Sequence, residues 1–138
     1  MLLTACGWIQ NEDERARQDF IQRFRFAHET HDLEKLMDLF CWDAVEANYR
    51  RLVRLGLQTE VQYDLLNIEI VELEPGEHYD YYHVANKAYG PNLEPMCKVS
   101  VQYDVPERLH STFMLGKRDG EYWIINPKVI ENADGATP

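Results

Sequence analysis

Residues 96–127 constrain this chain more than any other stretch, because they alternate too regularly to be anything but sheet. Cys97, Val99, Val101, Tyr103 and Val105 are separated by Lys98, Ser100, Gln102 and Asp104. Successive side chains of an extended strand point to opposite faces, so one face is dry and the other wet. After the break at Pro106, residues 109–117 supply a second strand. Asp119-Gly120 is the pair that accepts positive φ in a two-residue hairpin, and residues 122–126 return as a third strand. Such a loop sets the register: Lys117 opposite Tyr122, Leu115 opposite Ile124 and Phe113 opposite Asn126, with Met114 facing Ile125 on the other side. A sheet with one apolar face needs a cover.

The residues before it supply helices. Acidic groups at 12–14 suit a helix N-terminus, and a helix is expected over 11–30, with Ala16, Phe20, Phe24, Ala27 and His31 on one stripe and Phe26 opposite. Asp32 is placed to cap a second helix over 33–41, whose stripe is Leu33, Leu36, Met37 and Phe40. A third follows Trp42-Asp43, with Val45, Tyr49, Leu52, Val53 and Gly56 at helical steps and Gly56 near its end. Strands are expected over 64–74, where Leu66, Ile68 and Ile70 alternate with polar residues, and over the tyrosine-rich 79–89, closed by Gly90-Pro91-Asn92.

The chain of 138 residues carries a net charge of −10. It is long enough for one core without disulfides or metals. The acidic balance lacks the electrostatic footprint of a nucleic-acid binder, so no nucleic-acid partner is expected. No apolar run approaches the ~20 residues a spanning helix needs. Cys6, Cys41 and Cys97 form no Cys-x-x-Cys pair, and Cys41 and Cys97 sit at apolar positions, as inert buried thiols do.

Leu3-Thr4-Ala5-Cys6 resembles the lipobox of a bacterial lipoprotein, which would make Cys6 a lipidation site and its lipid the route to a membrane. Only five residues precede Cys6, without the basic and apolar regions of a working signal. Either the start lies inside a longer precursor, placing the protein in a bacterial envelope, or the match is chance and the protein is cytoplasmic. The organisation expected is residues 1–10 as an N-terminal segment, 11–130 as one α+β domain and 131–138 as a flexible tail.

Two passages add a family likeness. Residues 31–45, HDLEKLMDLFCWDAV, run from an Asp through a leucine-rich helix to Leu-Phe, an acidic residue and Ala-Val; residues 116–125, GKRDGEYWII, follow Asp-Gly with aromatic residues and Ile. Both resemble the nuclear transport factor 2-like superfamily, which includes ketosteroid isomerase and the polyketide cyclase-like proteins. The resemblance implies a cone-shaped α+β fold, a curved antiparallel sheet of about four to five strands on about three N-terminal helices, enclosing a pocket. It departs from the family where residues 46–55 read as helix and the family commonly has a short strand.

The residues in the likeness fold the chain; none carries chemistry. Inward aromatic and polar groups make the pocket candidates: Tyr49, Tyr82, His83, Tyr103 and His110. His28 and His31 could turn two imidazoles toward a metal, but with only Asp32 nearby and no His-Glu-x-x-His, helix-end contacts are favoured and neither metal nor cofactor is expected. Asp43 beside Trp42 is either a desolvated carboxylate or, more simply, a helix cap. Arg50, Arg51 and Arg54 read as a solvated face. The leading expectation is a non-catalytic domain binding a small molecule or a partner, with a homodimer through the sheet face as one form. The alternative is a lyase, isomerase or cyclase using a pocket Asp/His pair.

Overall fold

A computed structural model describes the backbone of residues 5–132 and the side chains of residues 11–131; Cys6, the lipidation candidate, lies outside the described side chains. Among the described residues the order is α1 (Ala5–Glu29), α2 (Leu33–Met37), α3 (Ala47–Glu60), β1 (Leu65–Glu72), β2 (Tyr82–Val84), β3 (Lys87–Pro91), β4 (Cys97–Tyr103), β5 (His110–Arg118), β6 (Glu121–Ile124) and β7 (Pro127–Asn132). The architecture is α+β: a four-stranded antiparallel sheet, β1-β4-β5-β6, and a three-stranded one, β2-β3-β7.

The hairpin has the register its loop dictates as far as Ile124, where β6 ends, so the expected pairing of Phe113 with Asn126 is not formed. Leu115 faces Ile124 and Lys117 faces Tyr122, with Asp119 at φ 54° and Gly120 at φ 79°, both in the left-handed region a type I′ turn requires. The dry face of β4, from Cys97 through Val99 and Val101 to Tyr103, is buried and meets Ile68, Leu115 and Ile124 from its neighbours. Phe20, Phe24 and Ala27 of α1 close over it, each at most 1% exposed. The opposite face, where a homodimer contact was expected, carries Asn67, Glu69, Ser100, Gln102 and Thr112.

Local chemistry explains most departures from expectation. The acidic residues at 12–14 do not open α1, which starts at Ala5. Asp13 instead accepts from the Tyr122 hydroxyl at 2.5 Å and pairs with Arg17 at 3.0 Å and Lys117 at 2.7 Å. Asp32 caps α2 as expected, accepting from the Lys35 amide, but that helix ends at Met37. The unburied Phe26 is covered by the Lys35 ammonium 4.5 Å above its ring. His28 and His31 make the helix-end contacts favoured over a metal: their Nδ1 atoms lie 2.9 Å from the Tyr63 carbonyl and 3.1 Å from that of Val61.

Asp43 caps nothing. α3 starts after Glu46, and Asp43 pairs with Arg118 at 2.5 Å, which holds its carboxyl below the usual range. Gly56 does not end α3, which runs one further turn to Glu60. A bulge between Leu65 and Asn67 turns Leu66 out to 59% exposure, so it does not share a face with Ile68. The single strand expected over 79–89 is a hairpin, β2 and β3, turned at Ala85 with φ 52°. β7 extends to Asn132, two residues beyond the boundary drawn at 130. Cys41 and Cys97 are buried free thiols, as their apolar positions imply.

Candidate functional site

The site follows from where β6 stops. At Ile124 the last strand leaves the large sheet; the Ile125 amide gives one more bond to the Met114 carbonyl at 3.0 Å, and β7 then joins β3 in the other sheet. Among the described residues the edge of β5 before Met114 has no strand partner. α3 lies opposite that edge and reaches it through Glu60, which accepts from Ser111 Oγ at 2.5 Å. A cleft of about 340 Å³ fills the gap.

The floor of the cleft is held by a polar latch. Asn126, 2% exposed, donates its side-chain amide to the Cys41 carbonyl at 2.9 Å. Asn92 donates to the same carbonyl at 2.8 Å and accepts from the Asn126 amide at 3.0 Å. The Cys41 amide in turn bonds the Ile124 carbonyl at 2.8 Å. The connection into α3 is thereby tied to the point where the chain changes sheets, with its buried backbone groups satisfied.

The walls are mainly apolar: Phe40, Val53 and Leu57 on one side, Phe113, Met114 and Ile124 on the other. Tyr49 and Tyr79 stand at one end, their hydroxyl pKa values raised by burial and, for Tyr79, also by the neighbouring Tyr49 and Tyr82. Both are therefore neutral phenols. Glu60 stands at the other end, half-buried, one oxygen accepting from the Tyr103 hydroxyl and from Ser111 Oγ at 2.5 Å. Burial first, then the Glu60 carboxylate, raises the Tyr103 pKa and keeps that hydroxyl a donor. Tyr49 and Glu60 are eleven residues apart on one helix, so the cleft spans about 16 Å.

Of the residues singled out from sequence, Tyr49 lines the cleft. Tyr103 stands behind the wall and reaches it through Glu60, and Tyr82 is stacked on Tyr89 at 5.0 Å between ring centroids, beside Tyr49 and Tyr79. His83 and His110 are exposed and lie outside the lining. Asp43 is exposed, bound to Arg118 and outside the lining, so neither His83 nor His110 meets it in the cleft.

Glu60 and Tyr79 were missed. The signal for Glu60 was present, since Tyr49, Val53, Gly56 and Glu60 follow at steps of four, three and four, but reading Gly56 as a stop cut the stripe short. A second recess, about 440 Å³, lies beyond Tyr79 against residues 91–95. Glu77, Glu94 and Lys128 line it beside Tyr79, Tyr81 and Leu93, so its wall is more highly charged than that of the first cleft.

No family model matches the chain, and no curated protein matches it significantly. A solved structure to which it is similar is that of a protein from Xanthomonas campestris assigned as a calcium/calmodulin dependent protein kinase II association domain, at 17% identity and a TM-score of 0.35. That likeness covers 79% of this chain and 80% of the other. At this level it says nothing of family or function.

Proposed function

We propose that this chain is a non-catalytic domain of the nuclear transport factor 2-like superfamily that binds a small molecule in the cleft between α3 and the free edge of β5. The observation that carries the reading is the cleft itself: apolar walls with a few polar groups at its two ends, the usual build of a small-ligand site. Support for the superfamily comes from the passages at 31–45 and 116–125 and from the helix-then-strand order. Fold likeness does not choose between binding and turnover. Support for binding comes from the lining, whose one carboxylate among the described residues, Glu60, already accepts from Tyr103 and Ser111 and has no imidazole, amine or thiol beside it in the wall.

Gly56 provides the test. It faces the cleft from α3, and a Cβ built there meets nothing within 4 Å, so Gly56→Leu fits the helix while its side chain takes up ligand space. Small apolar fragments are expected to shift the amide resonances of Phe113, Met114 and Ile124, and to bind about tenfold more weakly to Gly56→Leu, a loss of roughly 1.4 kcal/mol. The variant's melting temperature should be equal or higher. Fragments that leave those amides unmoved, or bind both proteins alike, would remove the cleft as the site.

A further inference from the structure

The cleft has a single charged group in its wall, and the surroundings of that group are unlike those of any comparable carboxylate in the molecule. Five acidic side chains are half-buried among the described residues: Asp13, Asp32, Glu46, Glu60 and Glu77. Four of them face a cation. Asp13 has Lys117 at 2.7 Å, Asp32 has Lys35 at 3.5 Å, Glu46 has Lys87 at 2.5 Å and Glu77 has Lys98 at 2.9 Å. Glu60 has only the hydroxyls of Tyr103 and Ser111, both on Oε1, and no Lys or Arg within 4.0 Å among the described residues.

The groups packed around Glu60 do not supply the missing charge. His28, on α1, is held neutral by burial despite the pull of Glu60 and Asp64, and its Nδ1 is spent on the Tyr63 carbonyl. Among the described residues the cleft lining contains no Lys, Arg or His. A carboxylate in a partly dry wall with hydrogen bonds but no counter-charge is a receptor for one, since a charge-assisted bond there is stronger than a neutral one.

Resting on the cleft reading above, we infer that the cleft selects a small organic cation, a protonated primary amine on an apolar body, with its ammonium against Glu60. Ser111 and Phe113 are two residues apart on the same face of β5, so the first apolar wall beyond the charge is an aromatic ring. An ammonium bonded to Glu60 leads its carbon chain past Phe113 and over Gly56 and Leu57. At the far end, the neutral rings of Tyr49 and Tyr79 accept an aromatic or polar terminus.

The test uses three molecules of one shape and three charges: 4-phenylbutylamine, 4-phenylbutanol and 4-phenylbutyrate, titrated into the full chain near neutral pH and followed by the amide shifts of Phe113, Met114 and Ile124. The amine is expected to bind about tenfold more tightly than the alcohol, and the carboxylate most weakly. Glu60→Gln should erase the advantage of the amine over the alcohol. If that variant does not fold, the ranking on the unaltered protein decides. An alcohol or carboxylate binding as well as the amine, or an amine advantage that survives Glu60→Gln, overturns the cation assignment and leaves the cleft standing. Three probes that all fail to move those amides overturn the cleft reading itself.

Discussion

The two helices that cover this protein's sheets do so differently. α1 buries Phe20, Phe24 and Ala27 in the core against β4, and even the imidazole of His28 is enclosed, stacked on Phe24 at 5.0 Å with Nε2 lacking a partner. α3 buries only Leu57 completely, leaves Tyr49 and Val53 half-exposed, and turns Leu52 and Leu55 to solvent at 65% and 57%. The difference lies in what each helix meets. α1 faces a sheet paired on both sides of β4, whereas α3 faces the unpaired edge of β5, where no further strand fills the space. Stability is concentrated in the core under α1, where a recess toward β1 is lined mostly by charged and polar side chains, and room for an apolar ligand is left under α3.

The contrast predicts a series of effects. The largest is in the closed core: Phe24→Ala should cost about 3 to 5 kcal/mol, and the cleft-wall change Val53→Ala less than about 1. Comparable losses in denaturant melts would break the distinction. Two glycines sharpen it further. At Gly116 a Cβ would lie 2.7 Å from the Glu94 carbonyl oxygen and 2.7 Å from Leu93 Cβ, so Gly116→Ala should destabilise by about 1 to 3 kcal/mol. A neutral result would mean that the residue 93–94 crossing yields easily.

His28 makes the closed side pH-sensitive. Burial lowers its folded pKa below the ordinary 6.5, outweighing the opposite pull of the Tyr63 carbonyl and of Glu60. Below that value the unfolded chain takes up a proton that the folded one refuses. Stability is therefore complete above about pH 6.5 and falls as pH drops toward the folded pKa, by at most about 1.4 kcal/mol per unit. Melts from about pH 7 to 5 on the protein and on His28→Phe should show this component of the slope vanish in the variant. An unchanged slope would assign it to other groups. The smallest effect has the opposite sign: Gly56→Ala, with open space around it and helix on both sides, should stabilise by about 0.5 to 1 kcal/mol. A loss there would mean that α3 is not open at that point.

The features legible from the sequence are those decided by neighbours along the chain. The alternation in β4, the Asp119-Gly120 turn, the Asp32 cap and the helical period of α1 from Ala16 to Ala27 each depend on a few adjacent residues and are in place, whereas His31, beyond the end of α1 at φ 48°, leaves that stripe. The features missed depend on partners far away. Asp13 does not open a helix because Lys117 and Tyr122 meet it from the end of the sheet. Asp43 does not cap α3 because Arg118 draws it off. The tyrosine-rich segment has two poorly distinguished faces, and it folds back at Ala85 because β7 pairs with β3 from 127 onward.

The candidate site divides in the same way. Tyr49 could be found by helical period, and Glu60 by following that period through a glycine that helix packing tolerates. No local signal shows that β6 stops at Ile124, that β5 is thereby left with a bare edge, or that among the described residues Glu60 alone of the half-buried acids is without a cation. Backbone preference and side-chain alternation act over a few residues and are written in the sequence. The emptiness of a cleft and the pairing of charges depend on where distant segments come to rest, and only the folded chain decides them.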